Sequence, residues 1–482
     1  MAEKILSVNN FFGGISSAEK IGLPGAFGDG SEFLDYSQDP NQITIQPKGT
    51  KVSGSTVVDL VKWIVDASPH DTNKYFYGDA GNIYRETSAG TWSNLRTVTN
   101  SVGQGMAVVN DYVYYTQNSQ IGRYGPLSAA PAFQDDWQTG LNSTATSTYA
   151  PIQPFRAGFV VGHGNYLAYY DGSVWDVDRI VLPPGFQVRA LTQVQETIVG
   201  AMWRSDGAIT DTEEGYIFLW DGDATFVNNF YRTNGAPNAL AHTGNRLLSF
   251  QGSSGQIYTD IEPFSLIHQI PNLGPREYVE VLPGATTTWQ GQTYFGSAGN
   301  TDSTTVKHGI YSYGAKSNLY PEALNYTQKI STGTQTGTGI KVGALMGSGN
   351  QLYWSWKDSS TYGVDRVTSA STPAASATYI SLVHDDERPG HDKMPKVILA
   401  THKALLSGES VQIGYKRDRA ANFTTETANS TVGTTSTRAS IPGDRYKEFE
   451  FEVILATSGS TAPSVTGINY LFDDLREEEE LI

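Results

Sequence analysis

The side chains in this 482-residue chain that could do chemistry are few and scattered. The densest metal-capable group is His384, Asp385, Asp386, His391 and Asp392. Imidazole and carboxylate suit zinc, but a closed zinc shell needs about four ligands at set spacings, and this run has none of them. Pro389 and Gly390 interrupt it, so it reads as a solvated linker. Asp206-Gly207 and Asp221-Gly222-Asp223 could offer oxygens to Ca²⁺. They fall short of the ~6–8 ligands that ion takes, and turn formation is the better reading. Gly252-Ser253-Ser254-Gly255 lacks the strand-to-helix elbow that would expose a serine nucleophile. There is no phosphate-cradling Gly-Lys-Ser/Thr loop and no His-Glu-x-x-His. The sequence therefore offers no catalytic, cofactor-binding or metal-ligating residue, and the expected class is non-enzymatic.

Composition narrows the class further. Lys and Arg number 33 against 49 Asp and Glu, a net charge of −16. Nucleic-acid binding needs Lys and Arg to displace counterions, so it is disfavoured as a general function. With no cysteine, disulfides, thiolate catalysis and Cys-ligated zinc are all excluded. No apolar run approaches the ~20 residues of a membrane helix, and Met1 to Leu6 does not open a signal peptide. The expectation is a protein made in a cytoplasm, without membrane contact, that stays soluble or is built into something larger.

The elements explain the composition. Fifty glycines and 27 tyrosines with only 17% charged residues describe strands joined by tight turns. A phrase recurs seven times: an aromatic strand, a polar turn, then a short strand such as Gly81-Asn82-Ile83-Tyr84-Arg85, Gly172-Ser173-Val174-Trp175 or Gly363-Val364-Asp365-Arg366. Repeats of roughly 40–50 residues built from short strands mark a β-propeller, one repeat per blade. Small-residue stretches such as Gly105 to Val109 and Arg156 to Val161 are expected as innermost strands, and the aromatics as the filling between blades. The longer steps, after Ile121 and from Ile257 onward, mark extended loops where binding would lie.

The expected fold is all-β: an extended N-terminal arm over 1–50 with one strand, a seven-bladed β-propeller over 51–383, a linker over 384–395, a small C-terminal β-sandwich over 396–475, and a solvated acidic tail over 476–482. Phe449 to Leu455 alternates apolar and charged residues, as a one-face-buried strand should. An open ring leaves two sheet edges, so a closing strand is required. The alternating stretch Gln42 to Gln46 is expected to supply it, with Ile43 and Ile45 meeting Ile380 and Leu382 of the last blade. Phe11, Phe12 and Ile15 have no local partner at strand or helix period, so the arm needs a surface. Either a neighbouring subunit, which makes it an assembly arm, or this chain's own propeller provides it.

Ser88-Ala89-Gly90-Thr91-Trp92 is the nearest stretch to the loop of sialidase-type propellers and lacks its Asp. Trp175-Asp176 and Trp220-Asp221 echo the Trp-Asp propellers without the Gly-His partner. A different family fits better. The arm Asn9-Asn10-Phe11-Phe12-Gly13-Gly14-Ile15-Ser16, the stretch Phe33-Leu34-Asp35-Tyr36 with Asp39 to Ile45, and the ending Thr461 to Tyr470 resemble virion structural proteins of tailed bacteriophages. The resemblance implies a tail or head–tail component in the virion, made in the host cytoplasm, whose partners are other virion proteins and copies of itself. Genomic DNA would be touched only passively, along an acidic lumen. The alternatives are a receptor- or carbohydrate-binding propeller at the tail tip, reading a host-surface glycan, and a propeller glycosidase.

Overall fold

A computed structural model describes residues 2–16, 25–28, 30–36, 39, 41–99, 102–143, 149–204, 214–243, 246–252, 256–259, 265–269, 279–299, 306–315, 320–385 and 390–475. The fold is all-β; every regular element among the described residues is a strand. The chain divides into two compact units, one made of 50–310 with 329–368, the other of 1–49, 311–328 and 369–482.

The larger unit is a succession of antiparallel meanders. Val61–Asp66, Lys74–Gly78, Asn82–Ser88 and Thr91–Thr97 form the first four-stranded sheet. Four more sheets of the same order begin at Gly105–Val109, Ile152–Phe155, Phe186–Val194 and Pro237–Thr243. The remaining strands join in one eight-stranded sheet, in which Val279–Trp289 pairs with Gln292–Gly299, and Ile340–Ser348, Gln351–Asp358 and Thr361–Thr368 follow one another. Hairpin turns make the sheets local. Asn110, Asn118, Gln195, Gln290 and Ser359 all adopt φ near +50°. Positive φ at turn centres matches the twist of the flanking strands.

The core is a set of wedges between successive sheets. Tyr75 and Tyr77 of the first sheet pack with Met106, Val113 and Tyr115 of the second. Another wedge packs Val61, Phe76 and Tyr84 of the first sheet with Ala344, Tyr353 and Val364 of the eight-stranded sheet. Each buried aromatic contributes about 1.5–3 kcal/mol. The first strands approach closely enough to require glycine. A Cβ on Gly343 would lie 2.1 Å from the Val61 carbonyl oxygen, and one on Gly284 2.0 Å from that of Lys62.

Two expectations about this unit are corrected. Arg156 to Val161 is not an innermost strand. Ile152–Phe155 precedes it, the chain turns at Arg156-Ala157, and Gly158–His163 is the second strand. The phrase at Val174 therefore falls one strand late, against Trp175–Val181, which is why the spacing around it is uneven. The strand added beside Thr361–Thr368 is also not Gln42 to Gln46. Thr50–Lys51 pairs with Arg366 and Asp365, and Val52 N–H donates to the Val364 carbonyl at 2.9 Å.

In the smaller unit, two four-stranded sheets run in the orders Ala2–Val8, Val465–Asp474, Lys393–His402, Ser436–Ser440 and Ser376–Ile380, Phe449–Thr457, Glu409–Arg417, Thr424–Thr425. Phe449 of one stacks on Tyr470 of the other at 4.2 Å with rings nearly parallel. Ile380 pairs with Glu452 in the second sheet, and Ser381 N–H donates to Phe451. Residues 369–383 and 311–328 thus lie in this unit and not in the expected propeller span. Ile43 bridges to Val465 and Ile45 pairs with Leu34, so neither forms a ladder with Ile380 or Leu382. Ser376–Ile380 pairs along one side with Phe449–Thr457, and it is Glu32, not Gln42 to Gln46, that bridges to Thr378.

The arm is spent inside this unit. Phe11 is fully buried against Tyr379 at 5.6 Å, Phe12 lies on Tyr320 at 5.0 Å, and buried Ile15 pairs with Phe27 in a short parallel ladder. Gly14 makes the approach possible: it holds φ +69°, and a Cβ there would lie 2.5 Å from the Leu324 carbonyl oxygen. The expected assembly arm is therefore corrected. Its apolar anchors cover this chain's own smaller unit and leave nothing buried to offer a neighbour. Residues 17–24 and the acidic tail 476–482 lie outside the described residues.

Candidate functional site

The first strands of the sheets surround a cavity of about 370 Å³, lined by Trp63, Gln153, Thr192, His242, Thr286 and Leu345 among others. One rung toward the start of these strands lies a cluster of charge. Lys62, next to Trp63 in the strand Val61–Asp66, is buried. Its ammonium donates to the Val102 carbonyl at 2.9 Å and sits 4.1 Å over the ring of Tyr149. Arg189, from the strand Phe186–Val194, stands 5.1 Å from the same ring and 4.2 Å from that of Trp203. A ring face carries negative potential, so one tyrosine serves two cations.

Burial sets the protonation here. It brings the Lys62 ammonium down to about 7, opposed by Asp79 and assisted by Arg189. Burial pushes the Glu280 carboxyl up, while Lys341 and Arg189 pull it back. It also raises Asp79, with Asp59 adding repulsion and Lys62 opposing. A lysine near neutrality resembles a covalent nucleophile. Its geometry says otherwise, since its Nζ is tied to a carbonyl beneath a tyrosine ring.

The remaining polar groups point across the seams between sheets. Asn238 Nδ2 donates to the Val281 carbonyl at 2.8 Å, Thr286 Oγ1 to Leu240 at 3.0 Å, and Thr288 Oγ1 to His242 at 2.7 Å. Ser355 Oγ donates to the Val61 carbonyl at 2.6 Å. Trp63 and Trp289 donate their indole N–H groups to Gly103 and Gly349. The cavity is a place where sheets are fastened.

Lys62 supplies a prediction. Its pKa falls from 10.5 unfolded to about 7 folded. Its favourable contribution is therefore present above 10.5 and lost as pH falls toward 7, below which the buried ammonium carries its full cost. Lys62→Met, which removes the charge at similar volume, is expected to stabilise the larger unit by about 1–4 kcal/mol below neutrality. Above pH 10 the difference should vanish. Thermal melts across that range read it directly.

The residues singled out from sequence fare differently. Asp221 accepts from Asp223 N, Ala224 N and Asn228 Nδ2 at 2.9–3.0 Å and is drawn down to about 2 by them, so it shapes a turn. Asp223 pairs with Arg156 at 2.7 Å. His384 stacks on Phe451, and burial lowers it to about 4. Asp386, Asp206 and Ser253-Ser254 lie outside the described residues, as do parts of the extended loops, including 144–148 and 270–278. Ser88 to Trp92 is a hairpin whose Trp92 packs on Phe76 at 4.3 Å. Sequence reasoning missed Lys62 and Arg189. The available signal was one lysine within Val61-Lys62-Trp63-Ile64-Val65, an apolar strand with no reason to carry a charge.

No family model matches the chain, and no curated protein matches it. Among solved structures, it is similar to YCF48 bound to a D1 peptide, at 11% identity over 70% of this chain and 99% of that one, with a TM-score of 0.44. The WD40 domain of Neurospora crassa Pan2 matches at 12% identity over 68% of this chain and 97% of that one, with a TM-score of 0.41. YCF48 from Cyanidioschyzon merolae matches at 9% identity over 67% and 99%, with a TM-score of 0.43.

Proposed function

We propose that this chain is a non-enzymatic structural component of a tailed-phage virion, in the tail or head–tail region. Its larger unit is read as a seven-bladed β-propeller closed by Thr50–Lys51, and its smaller unit as a β-sandwich with the N-terminal segment built in. The observation that carries the structural reading is the use made of buried polar groups. Around the cavity, buried polar side chains bind neighbouring sheets, Lys62 to Val102, Asn238 to Val281 and Ser355 to Val61, and from its lining Thr286 reaches Leu240 and Thr288 reaches His242. An enzyme or a sugar reader would aim such groups at empty space, where a ligand sits. Here they stiffen a frame. The virion assignment rests on the sequence resemblance and on a cysteine-free, acidic, turn-dense composition.

The test is quantitative detection of the protein in purified particles. A fixed ratio to the other virion proteins, with no glycoside hydrolysis and no selective binding on a glycan array, is the expected result. Absence from the particles overturns the reading, and selective glycan binding moves it to the tail-tip alternative.

A further inference from the structure

The sheet that contains both the first and the last described strands ends on Ala2–Val8, and among the described residues no strand pairs with its far side. The strand is clean. Its seven residues pair with Val465–Asp474 in unbroken register from Ala2↔Asp474 to Val8↔Ile468. It has no proline and no bulge, two of the features that blunt an edge, and its one lysine, Lys4, is turned to the buried Asp474 carboxylate at 3.5 Å. Its odd-numbered residues Glu3, Ile5 and Ser7 face solvent, and Ile5 is 66% exposed, a prominent apolar side chain on an otherwise polar row. Such an edge is a template for another strand.

We infer that the edge strand Ala2–Val8 pairs antiparallel with the same strand of a second copy, across a two-fold axis at Ile5. The strand's own sequence selects that occupant and register. A two-fold perpendicular to the sheet keeps each side chain on its own face, so odd residues must oppose odd and even oppose even. Centring on Lys4 sets two ammonium groups against each other, and centring on Glu3 sets two carboxylates; like charges directly opposite are destabilising. Centring on Leu6 leaves Ala2 and Glu3 unpaired. Centring on Ile5 uses all seven residues. Ile5 then meets Ile5, Glu3 meets Ser7, Lys4 meets Leu6 and Ala2 meets Val8, with no like charges opposed. Two four-stranded sheets become one of eight strands. The inference deepens the structural reading by naming the chain itself as a partner, but it depends only on this sheet.

Cysteine scanning tests it, because the chain has no cysteine of its own. In this register, opposed Cβ atoms lie about 4.5–5.5 Å apart. Ile5→Cys should oxidise to a disulfide-linked dimer roughly tenfold or more faster than Ser7→Cys, whose opposite number is Glu3. A mixture of Glu3→Cys and Ser7→Cys proteins should cross-link with each other. By sedimentation the wild type should be dimeric at high concentration, Ile5→Val should remain so, and Ile5→Lys should be monomeric with an unchanged melt, since Ile5 is exposed. A monomeric wild type overturns the inference. So does Ile5→Cys cross-linking no faster than Ser7→Cys, or a closed ring of more than two copies, which would mean pairing with a different edge. Dimerisation without incorporation into particles would leave the pairing standing and the virion reading fallen; incorporation of a monomer would do the reverse.

Discussion

Asp365→Ala should be the most damaging single substitution in the larger unit, costing about 3–5 kcal/mol. The carboxylate is fully buried and accepts three hydrogen bonds: from Trp356 Nε1 at 2.7 Å, Ser331 N at 2.8 Å and Ser331 Oγ at 2.7 Å. Alanine leaves the indole and backbone donors without their acceptor in a buried site. The position also matters because Asp365 is the residue whose backbone faces Lys51 of the short strand Thr50–Lys51. Urea unfolding of the variant should show a lower midpoint, and amides of residues 50–52 should exchange earlier than in the wild type. Unchanged exchange there would separate Asp365 from closure.

The same group gives a pH dependence of defined sign. Burial raises Asp365 from 3.8 to about 6, against the pull of Trp356, Ser331 and Lys51. An acid raised on folding contributes stability below its unfolded value and loses it as pH climbs through the folded one. The larger unit should therefore lose up to about 3 kcal/mol between pH 4 and pH 6 from this group. Asp365→Asn keeps an acceptor for Trp356 and should flatten that slope. A slope that survives the substitution must come from another carboxyl.

Phe11→Ala is the second large effect, expected to cost about 3–5 kcal/mol. Phe11 is fully buried, edge-on to Tyr379, which itself stacks loosely on Phe451 at 6.2 Å. The loss should appear in the smaller unit of the isolated protein, measured by its own melting transition. An arm that docked only on a neighbour would show no effect until assembly. Phe12, half-buried on Tyr320, should cost less.

These residues also show how far the sequence can be read. Strand-forming stretches were legible wherever turn chemistry and alternation agreed, as at Gly105–Val109 and Phe449–Thr457. The arm's need for a surface was legible in Phe11, Phe12 and Ile15. Which surface it found was not, because a partner far along the chain leaves no local trace. The closing strand was misplaced for a related reason. Gln42 to Gln46 alternates convincingly but forms a two-residue ladder with Leu34–Asp35, while Thr50–Lys51 is too short to carry a pattern. Register within the third sheet failed because Arg156 turns with positive φ, a conformation asparagine and glycine signal more clearly. The charged cluster was invisible apart from Lys62, since Tyr149, Arg189 and Glu280 meet only when distant strands converge.

The proposed role as a structural part of a phage particle is tested by a cryo-EM map of the intact virion. Density for a ring of seven small sheets, with Thr50–Lys51 on the seventh, is expected at a fixed place in the tail or head–tail region and in more than one copy. A map whose tail and neck densities are fully assigned to other chains, leaving no place for this one, contradicts it.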